Sequence, residues 1–472
     1  MIGRTSEQAE LNRLCDSAES EFVALYGRRR VGKTYLVREV FEGRFAFVHT
    51  GKSKGGMREQ LAHFRKSLEE WGGGRVSVPR TWDDAFDALK RVIAASDRLR
   101  KVVFIDEMPW MDTPRSGFLS ALESFWNEWA SARKDVMLIV CGSAAAWMAK
   151  NLFRNRGGLH NRVTARIRLA PFTLGECARY ARERGIEMGR GEIAECYMIL
   201  GGIPYYWRNL QPGLSLAQNV DRLFFRENAP LKGEFDEVFR SLFRNAKSHE
   251  RVVAALARKK AGMTRAEIVA AAGRGLAGAL TDVLETLEAS GFVRRYRMLG
   301  RRKRDALYQL VDNFTLFHFR FLDGAASDEN YWLSTALSPA RATWRGLAFE
   351  RLCLQHVRQI RAALGISGIH VETYSWSHAP DNVWPEGAQI DLLLDRADGV
   401  INVCEMKFSA DVFAIDAKTE AALQRKLAVF AGVTRTRKAI HLTMVTSFGL
   451  LRNAHSGRVQ SEVNLDDLFR DV

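Results

Sequence analysis

Three runs of continuous apolar residues set the frame of the first third of the chain: Phe22–Tyr26, Val102–Ile105, and the stretch VMLIVC ending at Cys141. Runs this short, bounded by charged or glycine-rich segments, predict strands buried on both faces, as in a parallel sheet flanked by helices. From about residue 173 the pattern changes. GECARYARERG and EIAECYMILGG carry apolar residues at helical spacing and predict a helical segment, broken at GGIPYYW by glycines and Pro204. Between 245 and 325, Thr264 is placed to cap a short helix, and Gly273 and Gly275 bracket a turn. Leu276–Leu287 continues as a helix, and the run after Gly291 reads as a hairpin with Gly300 in its loop. The aromatic block NFTLFHFRFL reads as core that joins domains. In the last third, WRGLAFERLCLQHVRQI predicts a helix and Ile390–Ser409 (IDLLLDRADGVINVCEMKFS) a strand pair.

These elements imply an α/β multidomain chain: a parallel-sheet core over 1–172, a helical lid over 173–244, a winged helix–turn–helix over 245–325 and a mixed α/β domain over 326–472. A length of 472 residues is too great for one hydrophobic core, which agrees.

Charge changes the picture more than composition does. The net charge of +15 favours an anionic partner, DNA first. The predicted hairpin is itself basic, with Arg294, Arg295, Arg297, Arg301, Arg302, Lys303 and Arg304 placed to sit on phosphates. The helix before it carries Asp282, Glu285 and Glu288, which would repel DNA. Contact of the hairpin with DNA therefore stays open. The six cysteines show no CxxC spacing and the histidines no HExxH pattern, so a zinc site is not expected. Neither a signal segment nor a membrane-spanning run is evident, which makes a cytoplasmic location the expectation.

GRRRVGKT follows the first strand and opens a helix. Gly27, Gly32, Lys33 and Thr34 fill the G-x-x-x-x-G-K-[ST] pattern. Backbone N–H groups of Arg28, Arg29, Arg30 and Val31 would wrap the phosphates of ATP. Lys33 would reach the β and γ phosphates, and Thr34 would ligate Mg²⁺. The second strand ends in Asp106 and Glu107, at the sheet edge where ligands bind. Asp106 fits a Mg²⁺ holder and Glu107 the base that orients the attacking water. Ser143, at the end of the third strand, is either a γ-phosphate sensor or part of an ordinary turn. Arg162 is the candidate for a cation on the transferred phosphoryl group, in cis or across a subunit interface of a homo-oligomer; Arg154, Arg156 and Arg166 compete for the role.

The C-terminal part holds a second constellation. Glu350 shares a helical face with Gly346, Cys353 and Val357. Asp391 lies on one predicted strand and Glu405 and Lys407 on the next, with the last two on one side because a strand has period two. Carboxylates at Glu350, Asp391 and Glu405 offer hard oxygen ligands to Mg²⁺, and Lys407 would hold the water or the charge developing on phosphate. Gln424, on the following helix, is a weaker member. A hairpin with solvated charges is the alternative.

The order IGR…E (Ile2, Gly3, Arg4, Glu7), GRRRVGKT, FIDE, CGS, NRVT, APF and GGIP resembles the archaeal-type ATPases of the STAND branch of AAA+ proteins, over roughly the first 325 residues. The resemblance implies contacts of Gly3, Arg4 and Pro204 with the nucleotide base, and a winged helix used in relatives as a connector. Relatives more often have glycine where this chain has Asn161. The E…D…ExK set resembles the PD-(D/E)XK nuclease superfamily, a domain common at the C-terminus of such ATPases. It implies metal-dependent DNA cleavage, with a nucleotide-dependent switch or scaffold whose nuclease-like domain does not cut as the other reading.

Overall fold

Val102–Ile105 is fully buried, and the fold of the first unit is built around it. The computed structural model describes residues 2–153, 157–159, 161–243, 245–300, 306–324 and 328–472. The chain divides into two compact units, Met1–Pro171 and Phe172–Val472.

In the first unit, β1 (Glu21–Tyr26), β2 (Phe45–Thr50), β3 (Lys101–Asp106), β4 (Val136–Gly142) and β5 (Ala165–Arg168) form one sheet in the order β2-β3-β4-β1-β5. Every pairing is parallel. The helices are α1 (Thr5–Cys15), α2 (Lys33–Val40), α3 (Met57–Gly72), α4 (Trp82–Ala95), α5 (Phe118–Ser124) and α6 (Ala145–Met148). α4 begins where its sequence says it must: the Thr81 hydroxyl accepts from the Asp84 N–H and the Asp84 carboxylate accepts from the Thr81 N–H. One face of the sheet packs through Phe22, Phe47, Val103 and Leu138 against Phe64, Trp82, Phe86 and Phe125. Burying side chains of this size stabilises by about 1.5–3 kcal/mol each. The order inserts β4 between β1 and β3, so the end of β4 lies between the phosphate loop and the Asp106–Glu107 edge.

The second unit holds the other three expected regions packed as one. It begins with α7 (Leu174–Glu183), α8 (Arg190–Leu200), α9 (Pro204–Trp207), α10 (Leu216–Val220) and α11 (Glu234–Leu242). Next come α12 (Ala246–Ala257), α13 (Arg265–Ala272), α14 (Leu280–Ala289) and the antiparallel hairpin β6 (Val293–Tyr296) with β7 (Leu307–Leu310). Thr264 caps α13 through Glu267. α14 starts at Leu280 rather than Leu276, because a tight turn at 274–276 and Gly278 delay it. The basic residues Arg301, Arg302, Lys303 and Arg304 lie outside the described residues, as do Arg154 and Arg156. Arg294, counted with that basic set, is turned inward: its Nε donates to Gln309 Oε1 at 2.6 Å.

The aromatic block is core. Phe314, Phe317 and Phe321 of α15 (Asn313–Phe317) and the turn after it pack on Tyr206, Phe224, Trp332 and Trp344. α16 (Tyr331–Ser334) and the start of α17 (Pro339–Gln355) belong to this cluster. The Asp221 carboxylate accepts from the N–H groups of Trp332 and Leu333, and Arg341 pairs with Glu195 at 2.9 Å. Residues 331–345 thus pack on the lid helices, and a boundary at 326 is too early.

α17 ends at His356 and α18 (Val357–Ala363) starts anew, so Val357 does not continue the Glu350 face. The remaining elements are β8 (Val371–His378), β9 (Ala388–Arg396), β10 (Val400–Lys407), β11 (Phe413–Ala414), α19 (Ala417–Thr434), β12 (Ala439–Thr446), β13 (Leu450–Leu451) and β14 (Val459–Asn464). A mixed sheet runs β14-β12-β10-β9-β8, antiparallel from β8 to β10 and parallel from β10 to β14. α17 packs on β10 and α19 on β9.

Candidate nucleotide site and C-terminal acidic site

The phosphate loop leaves β1 at Gly27, where φ is 151° and a Cβ would stand 2.3 Å from the Leu169 carbonyl oxygen, so only glycine fits. Arg30 (φ 70°) and Gly32 (φ 91°) adopt left-handed backbone, the conformation that aims loop N–H groups into an anion-binding concavity. α2 starts at Lys33, with its positive end on the same loop. The Lys33 ammonium donates to the carbonyls of Gly27 (3.0 Å) and Arg28 (2.8 Å). Arg28 and Val31 are buried beside it, and Arg29 is half-buried.

Thr34 Oγ1 donates to Asp106 Oδ2 at 2.7 Å, which brings the two expected Mg²⁺ holders together. Asp106 Oδ1 accepts from the Glu107 N–H at 2.9 Å. Glu107 sits in left-handed backbone, φ 46° and ψ 42°, a strained conformation that throws its side chain toward β4. There Ser143 donates from Oγ (2.9 Å) and from N (3.3 Å) to Glu107 Oε2. Gly142 permits this close approach, since a Cβ would lie 2.7 Å from Pro109 Cδ. Burial pushes the Glu107 carboxyl above its ordinary value, opposed by Lys33 and by the Ser143 bonds. A carboxyl shifted this way is suited to take a proton from water. Ser143, read from sequence as a sensor or a turn, is the partner that holds Glu107.

Arg4 is buried against the same loop: it donates to the Val31 carbonyl at 3.4 Å and pairs with Glu7 at 3.8 Å. Gly3 and Arg4 both take left-handed backbone. Arg162 is exposed, and Arg166 lies over the Phe153 ring at 4.7 Å. Asn161 has φ 57°, and asparagine is one of the few residues that tolerates this region. Pro204 opens α9 in the second unit.

The acidic set of the C-terminal sheet is not gathered as expected. Both oxygens of Glu350 accept from Lys260 Nζ, at 2.8 and 2.6 Å, and Asp391 Oδ2 lies 3.5 Å from the same nitrogen. Glu405 instead pairs with Lys407 at 3.0 Å and Lys426 at 2.5 Å. The period-two expectation for Glu405 and Lys407 therefore holds, while the three carboxylates do not converge on one metal position. Among the described residues no group of three or more His, Cys, Asp or Glu side chains could hold a metal ion. As arranged here, these residues do not fit the Mg²⁺ that the nuclease resemblance implies. Burial, with Asp391 beside it, holds the Glu350 carboxyl above its ordinary value despite Lys260. Burial also pushes Glu405 upward, but Lys426 and Lys407 outweigh it and leave it below its ordinary value. Gln424 donates to Glu420, one turn earlier on its own helix.

Lys260 and Lys426 are the residues that reading the sequence misses. Lys426 lies two positions beyond Gln424 on α19. Lys260 lies 90 residues before Glu350, in the segment after α12, and no local pattern marks it.

Residues 1–210 match a family described as an ATPase domain predominantly from Archaea. The chain carries a P-loop ATPase domain. Over 396 residues it is 22% identical to an uncharacterised protein of Methanocaldococcus jannaschii, covering 83% of each chain. Among solved structures, it is similar to the Walker-type ATPase of Pyrococcus abyssi, with 16% identity over 68% of this chain and 96% of that one, at a TM-score of 0.46. It is also similar to the ORC2 protein of Aeropyrum pernix in ADPNP–ADP complexes, with 13% identity over 71% of this chain and 96% of that one, at a TM-score of 0.41. No helix among the described residues is long and apolar enough to cross a membrane.

Proposed function

We propose that the protein is an ATP-hydrolysing switch that acts on DNA through its second unit. The observation that carries the hydrolytic part is the connected set Thr34–Asp106–Glu107–Ser143 beside the phosphate loop: the Thr34 hydroxyl and the Glu107 backbone N–H donate to the Asp106 carboxylate, and the Ser143 hydroxyl donates to the Glu107 carboxylate. Thr34 and Asp106 would hold Mg²⁺, which supplies charge neutralisation between the phosphates. Lys33 binds the β and γ phosphates, and Glu107 takes a proton from the attacking water. Gly3, Arg4 and Pro204 are proposed for the base. Arg162 is proposed for the transferred phosphoryl group, in cis or from a neighbouring copy; a rate per protein that rises with concentration and vanishes in Arg162→Ala supports the latter.

DNA is the proposed partner because of the net charge of +15 and the exposed Arg295 and Arg297 on the hairpin, read here as the wing of a winged helix. Affinity should fall steeply with salt through counterion release. Replacing Arg295, Arg297, Arg301 and Arg302 by Ala should flatten that slope; an unchanged slope makes the hairpin a connector. Metal-dependent cleavage is the second reading, favoured by Glu350, Asp391, Glu405 and Lys407 all lying on one helix and two strands of a mixed sheet. The ion pairs that Lys260, Lys407 and Lys426 make with those carboxylates favour the non-cutting switch. Incubation of linear, nicked and branched DNA with Mg²⁺ or Mn²⁺ separates the two: cutting by wild type and none by Glu405→Ala would establish cleavage.

A further inference from the structure

We propose that Lys260 is the resident cation of the Glu350–Asp391 pair, standing where a divalent metal would have to bind and joining the α12–β7 module to the C-terminal sheet. The proposal rests on reading these carboxylates as the acidic set of a nuclease-like domain that does not cut in this arrangement. Its ground is geometry. The Lys260 ammonium meets both oxygens of Glu350 and faces Asp391 at 3.5 Å, so one cation already serves two carboxylates from two different elements.

The lysine is also delivered there by a fixed backbone. Its carbonyl accepts from Gln309 Nε2 at 2.6 Å and from Arg351 Nη2. Tyr296 donates to the next carbonyl, that of Ala261, and Met263 exchanges two 2.8 Å backbone bonds with Tyr308. Three residues of the β6–β7 hairpin and one of α17 thus hold the segment that carries Lys260. Arg351 acts electrostatically on both carboxylates and Arg294 on Asp391, so the pair is already neutralised by resident cations and a divalent ion would have to compete with them. The Lys260 side chain nonetheless keeps 37% of its surface exposed, which gives it a way out to water.

The test is uptake of Mn²⁺, followed by electron paramagnetic resonance on the full chain without nucleotide. Lys260→Met should bind Mn²⁺ roughly tenfold or more tightly than wild type. The triple variant K260M/E350Q/D391N should lose that site, which separates it from any uptake at Thr34 and Asp106. Lys260→Arg, which keeps the charge, should match wild type. Equal affinity in wild type and Lys260→Met, or a gain that survives in the triple variant, would overturn the proposal. If Lys260→Met does not fold, urea unfolding of Lys260→Arg, Glu350→Gln and K260R/E350Q replaces it. Lys260→Arg should shift the midpoint in the wild-type background and much less in the E350Q background, and equal shifts overturn the proposal. ATP turnover reports separately. A Lys260→Met protein that hydrolyses ATP but gains no Mn²⁺ counts against this inference and leaves the ATPase reading intact.

Discussion

Glu107→Gln tests the assignment of the water-activating group with least disturbance of the site. Glutamine keeps the shape of the side chain and an oxygen that can accept the 2.9 Å bond from Ser143 Oγ, so the β3–β4 edge should stay in place. What is lost is the carboxylate's ability to take a proton. Loss of a positioned general base slows a step by about 10²–10⁴-fold, or about 2.7–5.4 kcal/mol on the barrier. Nucleotide binding should persist, since on the proposed reading the phosphates are held by the loop and Lys33. Because burial raises the Glu107 carboxyl above its ordinary value, wild-type kcat should rise with pH through an acid limb displaced upward from the usual glutamate range. That limb should be missing from the residual rate of the variant. The assay is steady-state phosphate release across pH, paired with nucleotide binding by calorimetry. A kcat within about threefold of wild type would refute the reasoning, because no general-base role is that small.

Ser143→Ala should remove the hydroxyl that donates to Glu107, leaving only the backbone N–H bond, and lower kcat with little change in ATP affinity, measured by the same pair of assays; unchanged kcat would make the hydroxyl contact incidental. His356 is buried, and burial lowers its pKa to about 4; its Nε2 accepts from the Leu174 N–H at 3.1 Å. Its unfolded value is near 6.5, so the neutral folded ring contributes stability that is fully present above pH 6.5 and lost as pH falls toward 4. The loss is about 3 kcal/mol at about 1.36 per unit. Urea unfolding of wild type between those pH values should show it, and His356→Gln should flatten the slope. Arg341→Met leaves Glu195 with Arg345 as its remaining salt-bridge partner among the described residues, and should destabilise by roughly 3 kcal/mol in thermal or urea unfolding.

The grouping of the candidate nucleotide-site residues was legible because they lie in short segments. Each of GRRRVGKT, FIDE and CGS places its own residues at a strand end, and parallel pairing brings those ends together. The strand pair carrying Asp391, Glu405 and Lys407 was legible for the same reason: two apolar runs flank a turn at Gly399. What could not be read was which charge meets which. Lys260 reaches Glu350 from 90 residues away, and no periodicity encodes that meeting. Helix ends were misjudged where side chains decide them. His356 breaks α17 while its ring serves both the Leu352 carbonyl and the Leu174 N–H, a partner 182 residues distant. No pattern marks that Trp332 and Trp344 pack with Phe317 and Phe321, beyond the expected boundary at 326, in an aromatic core that reaches Phe224.

The claim on which the account stands is that Lys33 and its loop hold ATP for hydrolysis. The most direct measurement is phosphate release from ATP by the full chain with Mg²⁺, for wild type and Lys33→Ala at matched concentration. The account predicts turnover in wild type, its loss in Lys33→Ala, and its loss in wild type when EDTA removes the metal. Equal release by the two proteins, or none by wild type under conditions where ATP binds, would contradict it.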